Sequence, residues 1–367
     1  MRQTNNAIAG TGRIGRPLFW EMIRRSIDGD PVKVVAVSDW DKNYEKLDME
    51  KRAKRLVDKL TRPDDLTSQV PPFNVELRDH QIIIDGDKKN PVAIYTEEHP
   101  SKVPWGSFGD LTVHDATGVF KSREKARLFL EGGASRVLNA APMDWTEPEE
   151  PIPHYIHSIN SDLFVPSNDR IASYTSCTTK NLAYFVQTIL DKGWEISEGT
   201  FFGVHAATSS QGILKTMNNA IVASSGASKS LARAIPRLEG KVSGYVIRVP
   251  TTNGSYSKLT LMVNTDHWLS PEEVEQAVVS GSERYPDELS FTHLENPDLV
   301  NIRSKEYEGF STVVVMPRLK VSEAGILDGR KQTKIEALLM YNNEHAPACS
   351  QARFAVEIAP KILGGYK

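Results

Sequence analysis

The chain has 367 residues, 40% hydrophobic and 25% charged, with a formal net charge of −3; that length suits two packed domains of ordinary globular make-up, and that charge gives nucleic acid no electrostatic reason to bind. Two cysteines cannot build a disulfide framework and lack zinc-ligand spacing, so no metal site is expected. No run reaches the roughly 20 apolar residues that cross a bilayer, and the opening "MRQTNNAIAGTG" lacks the apolar core of a signal peptide, so the expectation is a cytoplasmic protein without membrane contact.

No internal repeat or low-complexity segment interrupts the chain. It opens with a short strand ending at Ala9, a glycine turn, a helix from about Ile14 to Ile27, and the β-branched run "VKVVAVSD" from Val32. This βαβ order predicts a parallel sheet. Residues 42–66 are rich in Lys, Asp and Glu and suit a solvated helix. "FNVELRDHQIIIDGDKKNPVAIY" alternates and carries "DGDKK", which suits a hairpin. A further alternation follows: strand "LTVHDAT", helix "SREKARLFLEGG", strand "SRVLNAAP". The acidic, proline-rich "DWTEPEEPIPH" reads as a loop.

After residue 176 the pattern changes. "KNLAYFVQTILDKG" reads as a helix with Gly193 as C-cap. Long alternating strands follow in "TFFGVHAAT", "KVSGYVIRVP" and "SKLTLMVNT", with helical stretches near 217–236 and 271–280. The end, "ARFAVEIAPKILGG", reads as an amphipathic helix. The expected fold class is α/β. A Rossmann-type parallel-sheet domain covers 1–176, an α+β domain with a mostly antiparallel sheet covers 177–347, and a terminal helix from about 348 to 367 packs back on the first.

Three places carry chemistry. "GTGRIG" sets Gly10, Gly12 and Gly15 between a strand and a helix, the context in which G-x-G-x-x-G binds a dinucleotide. Gly10 makes the tight turn, Gly12 lets the backbone approach a pyrophosphate, Gly15 lets the helix pack on the sheet, and the helix N-terminus favours the anion. Asp39, ending the second strand, suits the ribose hydroxyls and repels a 2′-phosphate, which favours NAD over NADP; the plain alternative is a glycine turn in an empty fold. Second, Cys177 stands just before a predicted helix among Ser176, Thr178 and Thr179, where a helix N-terminus favours a thiolate; it is a nucleophile or a capping or core cysteine. Third, His205 lies within a strand and Arg248 lies between apolar strand residues. A histidine there is a candidate acid/base or a hydrogen-bonded core residue. The arginine, if buried, needs an anion, from a phosphorylated substrate or from a structural carboxylate.

These pieces stand in the order found in the phosphorylating glyceraldehyde-3-phosphate dehydrogenases. "GTGRIGR", "VVAVSD", "HDATGVF", "SCTTK", "HAATSSQG", "SSGASKSLARAIPRLEGKVSGYVIRVPT" and "YNNE" each resemble a segment of that family across nearly the whole chain. The resemblance implies NAD-dependent oxidation of a small phosphorylated aldehyde, with Cys177 attacking and His205 taking the proton. The thioester formed is then released by phosphate or water. It implies substrate-binding roles for Thr208, Ser210 and Arg248, and for Ser176, Thr178, Ser225 and Gly226 near the attacking phosphate. It implies cofactor contacts at Gly10, Gly12, Arg13, Ile14, Gly15, Asp39, Thr117, Gly118 and Asn343, and a homo-oligomer, tetramer or dimer.

Four features depart from the family pattern. Asn181 stands where its motif has a second cysteine. The stretch from Gln211 to Gly226 is shorter than the family's loop, and no arginine occurs between Arg170 and Arg233. "YNNEHAP" replaces "YDNEWGY", and residues 40–105 are longer and more charged. Alternative readings are therefore a specialised relative, of secondary metabolism, acting on a phosphonylated or other anionic aldehyde; an acyl-phosphate-reducing semialdehyde dehydrogenase; and a non-catalytic binding or regulatory protein.

Overall fold

A computed structural model describes residues 2–62, 73–143, 151–207, 219–224 and 226–364. The chain forms two compact units, residues 1–175 with 351–367, and residues 176–350.

The first unit carries strands β1 (Thr4–Ala9), β2 (Val32–Ser38), β3 (Val75–Arg78), β4 (Gln81–Ile84), β5 (Val92–Tyr95), β6 (Leu111–Asp115), β7 (Arg136–Asn139) and β8 (Ile171–Ser173). They form one sheet in the order β3-β4-β5-β2-β1-β6-β7-β8. From β5 to β8 every pairing is parallel, and β4 and β3 extend the sheet antiparallel. "DGDKK" indeed connects an antiparallel pair, β4 and β5. A second, tighter hairpin joins β3 to β4 through Asp79 and His80, both at positive φ, the conformation a two-residue hairpin turn requires.

Helix α1 (Gly15–Ile27) buries Leu18, Phe19, Met22 and Ile23 along one stripe and ends with Arg24 and Arg25, which suit the negative end of its dipole. The charged segment after β2 is not one helix. A 3-10 turn over Lys42–Lys46 precedes α2 (Met49–Thr61), because Asp48 caps a new helix by accepting from Lys51 N, and Pro63 follows the end. Helix α3 (Arg123–Glu131) starts on the Ser122 cap.

The chain passes outward along β1 then β2, and later returns to the other side of β1 as β6. At such a reversal the loops beyond the strands' carboxyl ends diverge and leave a crevice. Gly10, Asp39 and Ala116 follow β1, β2 and β6, and they meet there through Gly10 N to Ser38 O (2.7 Å) and Ala116 N to Ala9 O (2.8 Å).

The second unit holds β9 (Glu195–Ala206), β10 (Ile221–Ser224), β11 (Val242–Val249), β12 (Ser255–Thr265), β13 (Leu289–Thr292), β14 (Thr312–Val315), β15 (Lys320–Leu327) and β16 (Arg330–Tyr341). Their sheet runs β10-β11-β9-β12-β16-β14-β13, with β15 on β16, and is mostly antiparallel. Helices α4 (Cys177–Asp191), α5 (Ala227–Ala234) and α6 (Pro271–Arg284) belong to this unit. Nearly all of α4 is buried, and it packs against α5, α6, β14 and β16. The stretch read as helix near 217–236 divides: the β-branched pair Ile221–Val222 begins a strand paired with β11, and α5 starts only after Gly226. The final helix, α7 (His345–Leu363), begins earlier than the pattern indicated. In the first unit its Phe354 and Ile358 pack with Tyr155, Phe164 and Tyr174.

A Cβ on Gly15 would stand 1.7 Å from the Gly10 carbonyl oxygen, whereas one on Gly12 would meet nothing within 4 Å. Gly15→Ala is therefore expected to cost about 2–3 kcal/mol, read as a lowered urea midpoint without coenzyme, while Gly12→Ala leaves that midpoint near wild type.

Candidate active site

Cys177 is the first residue of α4, one position further into the helix than the pattern suggested. Ser176 is the N-cap: its Oγ accepts from Thr179 N at 3.1 Å. Before it, Thr175 adopts φ 68°, a conformation a β-branched residue avoids. Cys177 thus sits at the positive end of a helix dipole with a neighbouring hydroxyl committed to the cap.

His205, near the end of β9, is paired in register with Arg248 of β11. Its Nε2 lies 3.5 Å from Cys177 Sγ, and its Nδ1 lies 2.7 Å from the Ala206 carbonyl oxygen. Donation from Nδ1 to that carbonyl leaves Nε2 free to take a proton from the thiol. Arg248 Nη1 contacts His205 Nδ1 and donates to the same carbonyl at 3.1 Å. Among the described residues Arg248 Nε is buried without a hydrogen-bond partner.

Asn343 completes the group. Its Nδ2 is 3.2 Å from His205 Nε2 and 3.8 Å from Cys177 Sγ. Its Oδ1 accepts from Ser255 Oγ at 2.9 Å, which fixes the amide with its nitrogen toward the sulfur. Ser255 also accepts from Ala206 N, tying the start of β12 to the end of β9. Burial by itself pushes the Cys177 thiol up. The His205 hydrogen bond and charge, the Asn343 amide and the Arg248 charge outweigh burial and bring it down to about 6. Tyr341, at the end of β16, is fully buried with its hydroxyl 2.9 Å from Thr178 Oγ1; burial first, and the Cys177 charge second, keep it protonated.

In the first unit, a cavity of about 400 Å³ opens at the carboxyl ends of β1, β2 and β6, lined among others by Gly10, Gly12, Asp39, Trp40, Glu97, Glu98 and Thr117. Gly10 turns at φ 89° against the backbone of Thr117. Gly12 leaves open space where a side chain would intrude, and α1 has Ile14 at its N-cap with no side-chain cap bond and no acid in its first turn. A dinucleotide's pyrophosphate fits that chemistry.

Models of two domains match this chain. One describes the NAD-binding domain of glyceraldehyde-3-phosphate dehydrogenase and covers residues 4–123. The other describes that enzyme's C-terminal domain and covers residues 176–302. Among similar proteins, glyceraldehyde-3-phosphate dehydrogenase 1 of Agaricus bisporus is 34% identical over 75% of this chain and 77% of its own. The cytosolic enzyme of Craterostigma plantagineum is 29% identical over 94% and 95%. The chain belongs to the glyceraldehyde-3-phosphate dehydrogenase family. NAD is its cofactor.

Against that family pattern, Asn181 takes up a packing role: fully buried, it donates from Nδ2 to Met340 O at 3.2 Å and so ties α4 to β16. Asn342 accepts from Glu344 N and His345 N, both at 2.9 Å, capping the turn into α7. Of the sequence-derived candidates, Ser176, Thr178, His205, Arg248 and Asn343 gather around Cys177, while Gly226 is the N-cap of α5. Thr117 binds Asp115 through both N and Oγ1, and Gly118 turns at φ 71° beside it. Arg13 and Ile14 form the turn just before α1, with Ile14 as its N-cap. Thr208, Ser210 and Ser225, and most of the shortened loop, lie outside the described residues. Sequence reasoning missed Ser255, Asn253 and Tyr341. Asn253 Oδ1 holds Asn343 N at 2.8 Å. The only trace of it in the sequence is the Asn-Gly pair "TTNGS", which marks a turn without saying what it supports.

Because the thiol titrates near 6, alkylation of Cys177 by iodoacetamide is expected to accelerate as pH rises from 5 and to level off by about pH 7, where a free cysteine is still mostly protonated. In His205→Asn the chief lowering contacts vanish and burial remains, so the midpoint moves up toward that of an ordinary thiol, at about 8.5 or higher.

Proposed function

We propose that this chain oxidises a small phosphorylated aldehyde, of the glyceraldehyde-3-phosphate kind, with Cys177 as nucleophile and His205 as general acid/base. The observation that carries this reading is the Cys177 Sγ to His205 Nε2 approach of 3.5 Å, together with a thiol lowered to about 6. The Cys177 thiolate adds to the aldehyde carbon while His205, holding the thiol's proton on Nε2, gives it to the carbonyl oxygen, and a thiohemiacetal forms. His205 Nε2 takes the hydroxyl proton as the carbon–oxygen double bond re-forms. NAD supplies the acceptor for the hydride that leaves that carbon. Cys177 then carries a thioester, which phosphate or water attacks at the acyl carbon and releases the thiolate. The Asn343 amide, aimed at the sulfur, favours the thiolate at both ends of this cycle.

Arg248 supports an anionic substrate. It is half-buried, its Nε has no partner among the described residues, and no carboxylate there pairs with it. A substrate phosphate supplies what that guanidinium lacks. A second reading, in which water releases the acyl group, is favoured by the absence of any arginine between Arg170 and Arg233 to serve an attacking phosphate. In the second unit, Val222 and Tyr245 stand exposed on neighbouring strands β10 and β11, with Phe202 of β9 edge-on to Tyr245. That apolar face supports a homo-oligomer.

The defining assay is NADH formation from glyceraldehyde 3-phosphate and NAD. Cys177→Ser is expected to lose about a thousandfold or more in kcat, and no NADH from any phosphorylated aldehyde would refute the proposal. Turnover that requires inorganic phosphate supports phosphorolysis, and turnover unchanged without it assigns water. Arg248→Ala is expected to cost about 2–5 kcal/mol in kcat/KM for the phosphorylated aldehyde, and an unchanged value would remove Arg248 from the substrate site.

A further inference from the structure

The charged segment after β2 does not leave the sheet idle. It folds back over Asp39, the carboxylate at the coenzyme cavity. Thr11 N donates to Asp39 Oδ1 at 3.1 Å, Tyr44 OH donates to Oδ2 at 3.3 Å, and Lys59 Nζ of α2 donates to Oδ2 at 2.7 Å. Lys59 also reaches Asp41 at 3.4 Å and lies 5.1 Å from the centre of the Tyr44 ring, while Arg55 stands 3.9 Å from Asp41. Tyr44 is fully buried and, held up by burial and by Asp39's charge at about 12, stays a donor.

An ionised carboxylate offers about four acceptor positions. Three are filled here, so the two hydroxyls of an adenosine ribose meet a nearly saturated group. The charge has changed as well. A lone carboxylate at the end of β2 rejects a 2′-phosphate by repulsion, but a carboxylate with an ammonium 2.7 Å away presents an ion pair. Glu97 and Glu98 line the same cavity and repel a phosphate independently of Lys59, so their effect cancels when variants of Lys59 are compared.

We infer that Lys59 is a positioning residue for coenzyme selectivity, acting through Asp39 to weaken the discrimination against a 2′-phosphate, so that this protein binds NADP as well as NAD. The inference rests on NAD occupying the cavity beside Asp39.

The test is calorimetric titration of the full chain with NAD and with NADP, without substrate. Wild type is expected to bind both. In Lys59→Met the ratio of the NADP to the NAD dissociation constant rises about tenfold or more, with NAD changed by less than about threefold. Lys59→Arg, which keeps the charge, restores the wild-type ratio; a merely structural loss would weaken both coenzymes together. Asp39→Asn gives a second arm should Lys59→Met fail to fold. It removes the carboxylate beside the ribose and leaves Lys59 only Asp41, at 3.4 Å, and NADP is expected to bind at least as tightly as NAD. A wild type that binds NAD but excludes NADP overturns the inference alone, as does a ratio that Lys59→Met leaves within twofold. A wild type that binds neither coenzyme overturns the coenzyme reading and this inference with it.

Discussion

A thiolate taken out of water must be compensated at once, and the second unit is organised around that requirement. Desolvation alone drives Cys177 toward the neutral thiol. Four separate elements answer it: α4 brings its N-terminus, β9 brings His205, β11 brings Arg248, and the turn after β16 brings Asn343. Only α4 and β9 are consecutive in the chain. The sheet exists, in functional terms, to bring three strand ends to one helix start.

The first unit meets a different constraint, the close approach of one backbone segment to another. The contact between Gly15 and the Gly10 carbonyl leaves no room for a side chain, so α1 is drawn hard onto the turn. Arg16 N donates to Gly12 O at 3.1 Å, and the N-cap Ile14 offers no side-chain cap, so the turn's own backbone closes the helix start. Asp39 lines the first unit's cavity with its charge already matched by α2. The segment that matches that charge resembles, by composition, a solvated decoration.

What the sequence made legible follows from where the physics is local. Glycine spacing, a cysteine at a helix start and a histidine in a strand are short-range patterns, and each is found where its pattern pointed. The alternation of β6, α3 and β7 was equally readable, because amphipathic periods do not depend on partners. The rest depended on pairing. Ile221–Ser224 looks helical beside "NNAIVASSGASKSLARA" until β11 supplies a ladder. Ser255 and Asn253 are ordinary turn residues until the end of β16 places Asn343 against them. Lys59 is one of many exposed-looking lysines until α2 folds over Asp39. Long-range contacts of this kind leave no mark at their own position in the chain.

The pairing of β9 with β11 carries the last step. A slip of one residue would turn His205 to the opposite face of the sheet and set Ala206 beside Arg248. Two glycines oppose that slip. A Cβ on Gly244 would stand 2.2 Å from Phe201 O, and one on Gly203 would stand 2.8 Å from Val246 Cγ1, so at these two places the observed register leaves room for glycine alone. The Ala206 carbonyl then acts as a common anchor, accepting from both His205 and Arg248. One backbone oxygen thus fixes the imidazole and the guanidinium together. Anything that moves β9 relative to β11 disturbs both, which couples the anion site proposed at Arg248 to the base proposed at His205.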